Sequence, residues 1–154
     1  MLTVSDSCSR GQREDVSGQT ISGMLPSDRY EICEHKVVPD EQESIKEQLI
    51  HFADAAKVDI VFTTGGTGLG PRDITPEATA AVCERMVPGL AEAMRQEGLK
   101  KTKRAILSRG VAGIRGGTLI INLPGSPKAV RESLKVILDV LPHAKDMLSS
   151  HGHD

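Results

Sequence analysis

Aromatic residues are scarce in this sequence, which has no tryptophan, one tyrosine and two phenylalanines among 154 residues. Proteins that bind single-stranded nucleic acids stack the bases on aromatic side chains, so the composition argues against such a platform. A basic surface for nucleic-acid binding is not expected either, because 19 basic residues are balanced by 21 acidic ones and neither sign forms a long run. We therefore expect no nucleic-acid partner.

Cysteines are also few, and the hydrophobic runs are short. Cys8, Cys33 and Cys83 are widely spaced and odd in number, which is typical of reduced thiols rather than of a disulfide framework or a zinc site. No apolar run approaches membrane-spanning length, and no signal-peptide pattern opens the chain. These absences predict a soluble, cytoplasmic protein without membrane contact.

The residues that are present suffice for one domain. Because 38% of them are hydrophobic, the chain can form a single sizeable core, and residues 1–154 are predicted to be one domain. β-Branched runs alternate with helical patterns, which predicts an α/β fold with a mostly parallel sheet. Two apolar runs at 105–107 and 118–122, with a turn at Arg115-Gly116-Gly117 between them, predict one antiparallel excursion.

The most informative stretch begins with a buried strand pattern at 59–63. Glycines follow at once, and they allow positive φ and a close approach of ligand to main-chain N–H groups. Thr75-Pro76-Glu77 then predicts a helix with Thr75 as its N-cap. A strand, a glycine turn and a helix N-terminus together form an anion site. The glycines are Gly65, Gly66, Gly68 and Gly70.

Two common nucleotide-binding motifs are absent from this turn, which limits the ligands that it can be expected to bind. No Gly-Lys-Ser/Thr follows the glycines, and Pro71 occupies the place of the third glycine in a dinucleotide fingerprint. Arg72 suits phosphate contact, whereas Asp73 beside it would repel phosphate unless a divalent metal bridged the two. The pair indicates phosphate plus Mg²⁺, with a structural salt bridge as the alternative role of Arg72.

Three further segments carry candidate site residues or caps. Asp40 follows a strand predicted at 30–38 and is either the N-cap of the next helix or a metal ligand facing Asp73. Residues 6–18 predict a flexible loop at a strand's carboxyl end, either a surface loop or a ligand rim, before a helix capped by Ser17. The turn at 123–127 repeats the central pattern with Ser126 as the cap, which leaves capping and ligand binding equally open.

The remaining helices are read from their apolar spacing. The helix that starts near Thr75 is expected to continue through Met86, and a last helix is expected from Pro127 to about Ser149. The C-terminal His151 and His153 are interpreted as part of a frayed tail rather than as a metal site.

The central stretch also resembles a known family. Residues 63–79, TTGGTGLGPRDITPEAT, are similar to the signature of the molybdopterin-binding family of molybdenum-cofactor biosynthesis, which includes bacterial molybdopterin adenylyltransferases and the G domain of gephyrin. Residues 3–8, 15–18, 38–41 and 107–127 resemble other blocks of this family, in the family's order. Five ordered blocks are far more specific than a lone glycine loop.

The resemblance implies a three-layer α/β/α fold and an adenylyl transfer, in which the molybdopterin phosphate attacks the α-phosphate of ATP. Asp40 and Asp73 match the two acids that the family uses for Mg²⁺ binding and catalysis. The family's substrate-binding positions match three groups of residues here: a phosphate-binding turn at 64–68, a nucleotide rim formed by residues 5–7, 15, 17 and 18, and a second turn at 125–126. Arg72 matches a further position. These residues are Ser5, Asp6, Ser7, Asp15, Ser17, Gly18, Thr64, Gly65, Gly66, Thr67, Gly68, Arg72, Gly125 and Ser126.

The same resemblance implies partners. Family members are commonly trimers, so it implies a homotrimer to which residues 86–94 contribute, and it suggests the molybdenum-insertion protein of the same pathway as a further partner. The alternative within the family is a non-catalytic molybdopterin-binding or trimeric scaffold domain of the same fold, as in its MoaB-like and gephyrin-like branches.

Overall fold

The computed structural model describes residues 1–149, and its centre is a six-stranded sheet in the order β2-β1-β3-β6-β5-β4. The first four strands in that order are parallel, and the last two pair antiparallel. The strands are β1 Leu2–Val4, β2 Lys36–Val38, β3 Ile60–Thr64, β4 Arg85–Met86, β5 Ala112–Arg115 and β6 Thr118–Leu123.

Helices cover both faces of this sheet. The α-helices are α1 Asp6–Ser9, α2 Val16–Met24, α3 Gln42–Ile50, α4 Thr75–Val82, α5 Pro88–Leu99, α6 Pro127–Ile137 and α7 Leu141–Ser149. A π-helical turn, His51–Ala55, continues α3, and 3₁₀ turns lie at Lys103–Leu107 and Leu138–Val140. None of the helices within residues 1–149 is long and apolar enough to cross a membrane.

The two faces have separate cores because successive side chains of a strand point in opposite directions. In β6, Leu119, Ile121 and Leu123 pack with α2, α5, α6 and α7, whereas Ile120 packs with α3 and α4 on the other face. All six residues of β6 are buried, as expected of a central strand covered on both sides. The predicted three-layer fold with a mostly parallel sheet is confirmed.

The predicted antiparallel pairing is confirmed, but the strand predicted at 105–107 is wrong. The turn at Arg115-Gly116-Gly117 joins β6 to β5 in antiparallel pairing. Residues 105–107 form a 3₁₀ turn instead of a strand, with Ile106 exposed at 61% and Leu107 at 50%. Their apolar character therefore does not come from a place in the sheet.

The strand predicted at 30–38 is wrong for its first six residues. Leu2, the first residue of β1, pairs with Lys36, so no residue of β1 lies beside residues 30–35. Without a neighbouring strand, the main-chain groups of residues 30–35 cannot form the hydrogen bonds of a β-sheet. Ile32 and Val37 are exposed at 42% and 40%, while Val38 is buried.

Two predicted helices end or break earlier than their apolar spacing indicated. Helix α4 ends at Val82, and Met86 belongs to β4, because residues 85–86 pair with β5. The last helical region is interrupted by the 3₁₀ turn Leu138–Val140, although the apolar side chains on both sides of this turn, Val130, Leu134, Ile137 and Leu141, are buried. His151 and His153 lie outside the described residues.

Candidate functional site

The candidate site lies at the carboxyl edge of the four parallel strands. Loops that follow β1, β2, β3 and β6 all leave the sheet at this edge, because parallel strands end on the same side. The structure therefore brings every predicted site residue to one rim, although these residues are spread from Ser5 to Ser126 in the chain.

The two glycine turns touch each other. The Thr64 hydroxyl donates to the carbonyl oxygen of Pro124 at 2.6 Å, and the Gly65 N–H donates to the carbonyl of Leu123 at 3.4 Å. A side chain at Gly125 would begin 3.4 Å from the Cα of Gly65. The turns after β3 and β6 therefore form one wall.

Gly65 and Gly66 are needed for this turn because both have positive φ, +98° and +68°. Space is a second constraint, since a Cβ at Gly65 would lie 2.2 Å from the carbonyl oxygen of Val4. At Gly66 a Cβ would lie 2.2 Å from the Thr75 hydroxyl and 3.4 Å from Oδ1 of Asp40. The main chain of this turn therefore comes closer to its neighbours than any side chain would allow.

Thr75 supports the turn rather than capping the helix. Helix α4 begins at Thr75 itself, the residue before it is Ile74, and no side-chain capping bond is made. The Thr75 hydroxyl instead donates to the Gly65 carbonyl at 2.9 Å, and its main-chain N–H donates to the Gly66 carbonyl at 3.1 Å. The prediction of an N-cap at Thr75 is wrong, and the hydroxyl links the helix start to the glycines.

Asp40 does not cap a helix either. Helix α3 begins at Gln42 after Glu41, without a side-chain cap. One carboxylate oxygen of Asp40, Oδ2, accepts from the main-chain N–H of Asp6 at 2.8 Å, and the Asp40 N–H donates to Oδ1 of Asp6 at 3.1 Å. The capping alternative for Asp40 is thus excluded, and its carboxylate stays at the rim.

Asp73 closes its own loop. Its Oδ2 accepts from the N–H of Gly70 at 2.8 Å, while the Asp73 N–H donates to the Gly70 carbonyl at 3.0 Å. A Cβ at Gly68 would lie 2.8 Å from the same oxygen, so Gly68 leaves room for this carboxylate. Asp73 thus lies against the glycine loop whose other end is near Asp40.

The pKa values of Asp6 and Asp40 are shifted in opposite directions. Burial raises the pKa of Asp40, and the charges of Asp6 and Asp73 add to this, against the Asp6 N–H and the Arg72 charge. Asp6 is held below its ordinary pKa chiefly by hydrogen bonds from Arg72, whose Nε and Nη2 donate at 2.6 and 2.9 Å. Arg72 thus forms the structural salt bridge, and its contact with phosphate stays a prediction.

The predicted nucleotide rim is a hydrogen-bonded unit. Asp15 is the N-cap of α2 and accepts from the Gly18 N–H at 2.8 Å. Its other oxygen accepts from the Thr3 hydroxyl at 2.5 Å and lies 3.0 Å from Nε2 of His35. Ser17, predicted as the cap, lies inside α2, and its hydroxyl donates to the carbonyl of Gly125 at 2.6 Å.

Ser5 and Ser126 are both caps. The Ser126 hydroxyl accepts from the Ala129 N–H at 3.2 Å, as predicted for the start of α6. The Ser5 hydroxyl accepts from the Cys8 N–H at 3.2 Å and lies 3.2 Å from the Ser7 hydroxyl. The loop predicted to be flexible thus contains the short helix α1, which Ser5 starts.

A cavity of about 280 Å³ opens between the two glycine turns and the nucleotide rim. Asp40 and Asp73 are not in its wall, but they flank the glycine loop that begins with Gly65. A larger cavity of about 580 Å³ lies at the opposite end of the sheet, near Met1 and Asp59, away from these groups. The smaller cavity is lined by Thr3, Val4, Ser5, Arg13, Asp15, Ser17, Thr64, Gly65, Gly125 and Ser126.

The two carboxylates at the rim, Asp40 and Asp73, suit a Mg²⁺ ion that is shared with substrate phosphates rather than a metal ion bound by protein side chains alone. Within residues 1–149 no group of three or more His, Cys, Asp or Glu side chains is arranged to hold a metal ion. Each of Asp40 and Asp73 uses Oδ2 in a hydrogen bond, and neither Oδ1 has a protein hydrogen bond in this part of the chain. Mg²⁺ is commonly bound by one or two carboxylates together with phosphate oxygens and water.

Sequence reasoning missed several residues that shape the rim. Thr3 lies within the block 3–8 but was not singled out, and no motif marks His35; both contact the Asp15 carboxylate. Asn122 is polar within an apolar strand pattern, a signal that could have drawn attention to it. Its side-chain NH₂ donates to the hydroxyls of Thr63 and Thr79 at 3.0 and 2.9 Å. Arg109, within the block 107–127, contacts the glycine loop directly.

The part of the chain that is similar to known proteins includes all the residues of the rim. The family model described as "Probable molybdopterin binding domain" matches residues 1–143. The molybdopterin adenylyltransferase of Helicobacter pylori strain J99 is 45% identical over 150 residues, which is 96% of this chain and 85% of that protein.

Solved structures agree in fold. The molybdopterin biosynthesis enzyme MoaB from Thermus thermophilus is 53% identical and has a TM-score of 0.91, with 96% of this chain and 93% of that chain covered. A structure of MogA is 44% identical and has a TM-score of 0.90, with 96% and 97% covered. Every predicted site residue lies within the matched part of the chain.

Proposed function

The chain belongs to the molybdopterin-binding domain family, and on that premise we propose that it is a molybdopterin adenylyltransferase of molybdenum-cofactor biosynthesis. In this reaction an oxygen of the molybdopterin phosphate attacks the α-phosphorus of ATP. The bond to the β-phosphate breaks, and adenylyl-molybdopterin and pyrophosphate are formed. The single observation that carries the proposal is the pair of touching glycine turns that line a cavity, with Asp40 and Asp73 flanking the loop that follows the first turn.

The glycine turns are suited to phosphate groups. Gly65 and Gly66 both have positive φ, which is typical of loops whose main chain approaches anions closely, and α4 starts at Thr75, whose hydroxyl and N–H are bonded to this turn. Thr64, Thr67 and Gly68 complete the same loop, and Gly125 with Ser126 supplies the opposite turn at the start of α6. We assign the phosphates of the two substrates to these turns, since in-line transfer requires both reactants to be held side by side.

The nucleotide rim is assigned to Ser5, Asp6, Ser7, Asp15, Ser17 and Gly18. The Ser17 bond to the Gly125 carbonyl links this rim to the second glycine turn. Asp15 is oriented by Thr3 and by the Gly18 N–H, so its carboxylate is fixed before any ligand binds. A preformed rim of this kind lowers the entropy cost of holding a nucleotide.

Asp40 and Asp73 are assigned to Mg²⁺ and to catalysis. A bound Mg²⁺ would neutralise phosphate oxygens and stabilise the charge that develops on the leaving pyrophosphate. The carboxylates themselves supply oxygen ligands from two sides of the glycine loop, with Oδ1 of each free of protein hydrogen bonds within residues 1–149. Arg72, paired with Asp6, lies next to both acids and is available for a phosphate if that pair opens.

The deciding experiment is the reaction itself with purified protein. Molybdopterin, ATP and Mg²⁺ are supplied, and adenylyl-molybdopterin and pyrophosphate are quantified, with reactions lacking Mg²⁺ or molybdopterin as controls. We expect both products in equal amounts and neither when one component is omitted. Release of nucleotide products without molybdopterin would indicate a hydrolase and contradict the proposal.

A second candidate is a domain that binds molybdopterin without transferring the adenylyl group. It is favoured by one observation, namely that neither Asp40 nor Asp73 lies in the wall of the cavity between the two glycine turns. The same assay separates the two candidates, because a binding or scaffold domain retains molybdopterin and yields no pyrophosphate.

We also propose that the chain forms a homotrimer and contacts the molybdenum-insertion protein of the same pathway. Supporting the assembly is a set of exposed apolar side chains around α5 and the following 3₁₀ turn, including Leu99, Ile106 and Leu107. Met86, exposed at 43%, extends the predicted contact at 86–94. Light scattering on the purified chain tests the trimer, and a mass of one chain at micromolar concentration would exclude it. Pull-down with the purified insertion protein tests the second contact.

A further inference from the structure

Arg109 holds the glycine loop closed from outside. Its Nε donates to the carbonyl oxygen of Gly68 at 2.8 Å, and its Nη2 donates to the carbonyl oxygen of Asp73. The main-chain N–H of Arg109 donates to the carbonyl of Thr67 at 2.9 Å. One residue from a distant part of the chain therefore contacts both ends of the loop that contains Asp73.

Glu77 completes this arrangement. Both carboxylate oxygens of Glu77, in the first turn of α4, accept from the Arg109 guanidinium. Hydrogen bonds from Arg109 hold the pKa of Glu77 below its ordinary value, so the pair is ionised at neutral pH. The planar guanidinium is thus anchored on the helix while its remaining N–H groups reach the two loop carbonyls.

We infer that Arg109 is a positioning residue, which sets the span of the loop from Gly68 to Asp73 and thereby the place of the Asp73 carboxylate. The inference rests on the proposed function, since it assigns Arg109 to the same site. Arg109 donates to the carbonyl of Asp73, not to its carboxylate, so it acts on the backbone that carries the acid. Loss of that span would move the Asp73 side chain, whose Oδ2 has its one hydrogen bond within residues 1–149 from the Gly70 N–H of the same loop.

Lysine cannot replace arginine in this role. Three acceptor groups surround the guanidinium, namely two main-chain carbonyls and one carboxylate, and they are met by three different nitrogens. A lysine ammonium is a single nitrogen and can keep the ion pair with Glu77, but it cannot also reach both carbonyls in the same geometry. Arg109→Lys therefore separates charge from positioning.

The chain offers a matched control in Arg115. This residue donates to both oxygens of Asp54, at 3.0 and 2.6 Å, and to the carbonyl of Val82 at 2.9 Å. Its side chain is 25% exposed, against 35% for Arg109, and it does not contact the glycine loop. Arg115→Lys thus removes a similar set of hydrogen bonds, to one carboxylate and one main-chain carbonyl, at a position away from the glycine loop.

The test compares both lysine variants with the parent chain in the adenylylation assay, at a temperature at which circular dichroism shows all three folded. We expect Arg109→Lys to lower kcat by about 10- to 100-fold, because small misplacements of a reacting group have effects of that size. The KM for molybdopterin should change little, and Arg115→Lys should keep the kcat of the parent chain. Parent-like kcat in Arg109→Lys, or an equal loss in Arg115→Lys, would overturn the inference.

A second measurement does not need the proposed reaction. The Gly70 N–H is bonded to Asp73 Oδ2, so its exchange with solvent, followed by NMR, reports the closed loop. We expect faster Gly70 exchange in Arg109→Lys and parent-like exchange in Arg115→Lys. Unchanged exchange in Arg109→Lys contradicts the positioning role even if no adenylylation is found, whereas faster exchange in a chain without activity contradicts only the proposed function. Should Arg109→Lys fail to fold, Arg109→Gln is measured in the same way.

Discussion

Asp6 and Asp40 are joined by reciprocal hydrogen bonds, in which the main-chain N–H of each donates to the carboxylate of the other, at 2.8 and 3.1 Å. This pairing ties the loop after β1 to the loop after β2. Only Asp6 has a cation bonded to its carboxylate, because Arg72 forks onto both of its oxygens. Of these two acids, Asp40 is the one whose ionised form is disfavoured, because burial raises its pKa.

The raised pKa of Asp40 has a consequence for stability. An acid whose pKa is higher in the folded than in the unfolded chain favours folding when protonated, and this contribution is lost as pH rises through the folded-state value. We therefore expect Asp40→Asn to raise the melting temperature at pH 7, with a difference that disappears as pH falls towards 3.8, the ordinary value. Thermal unfolding at several pH values, without Mg²⁺, measures this.

The control for Asp40 is Asp6→Asn, for which the sign is opposite. The pKa of Asp6 is lowered by Arg72, so its ionised form stabilises the fold above 3.8 and the contribution is lost as pH falls. Asp6→Asn should therefore lower the melting temperature at pH 7. If Asp40→Asn lowered it equally, burial would not be the dominant influence on Asp40.

Asp73→Asn tests the metal and catalytic assignment. The amide is nearly the same size as the carboxylate, and its oxygen can still accept from Gly70, but it is a much poorer Mg²⁺ ligand. We expect adenylylation to fall by at least about 100-fold while molybdopterin binding, measured by fluorescence titration, stays within a few-fold. Asp28→Asn, on a side chain that is 77% exposed, serves as control. Normal turnover of Asp73→Asn would remove Asp73 from the mechanism.

Gly65→Ala tests the need for a bare main chain in the first turn. The added methyl group would require positive φ and would lie 2.2 Å from the Val4 carbonyl oxygen, so the turn must move. We expect a loss of about 1–3 kcal/mol in the free energy of unfolding, by analogy with other strained backbone positions, together with loss of activity.

Gly23→Ala is the comparison for that variant. Gly23 lies in α2, and a Cβ there meets no atom within 4 Å. Alanine should leave stability unchanged or raise it by up to about 1 kcal/mol, because glycine is unfavourable in helices. Urea unfolding of both variants gives the comparison, and equal effects would mean that Gly65 has no special conformation.

Asn122→Ala tests the buried polar link between β6 and its neighbours. Asn122 is 2% exposed and joins Thr63, Thr79 and the Val111 N–H through its amide group. Removing the amide leaves these groups without their partner in a buried place, which should cost about 2–4 kcal/mol of unfolding free energy. Gln19→Ala, which removes an exposed amide, should change it by less than about 0.5 kcal/mol. A small effect at Asn122 would mean that water enters the site.

Local patterns were sufficient for the elements with strong apolar spacing. The strand predicted at 59–63, the strand predicted at 118–122 and the helix start predicted at Pro127 are found within one residue of those places. Caps were less predictable, because Thr75 and Ser17 use their hydroxyls to reach carbonyls elsewhere, at Gly65 and Gly125. A serine or threonine has the same local signature whether its partner is its own helix or a neighbouring turn.

The alternation of strands and helices, the two glycine turns and the resemblance to the family could all be recognised from the order of residues alone. Those features depend on residues close together in the chain, where φ, ψ preferences and apolar periodicity act. Three further features follow from the three-dimensional arrangement: residues 30–35 do not form a strand, Asp40 pairs with Asp6, and Arg109 is bonded to the loop that carries Asp73. Each of these depends on which groups, far apart in the chain, meet at the edge of the sheet, and no local preference encodes that meeting.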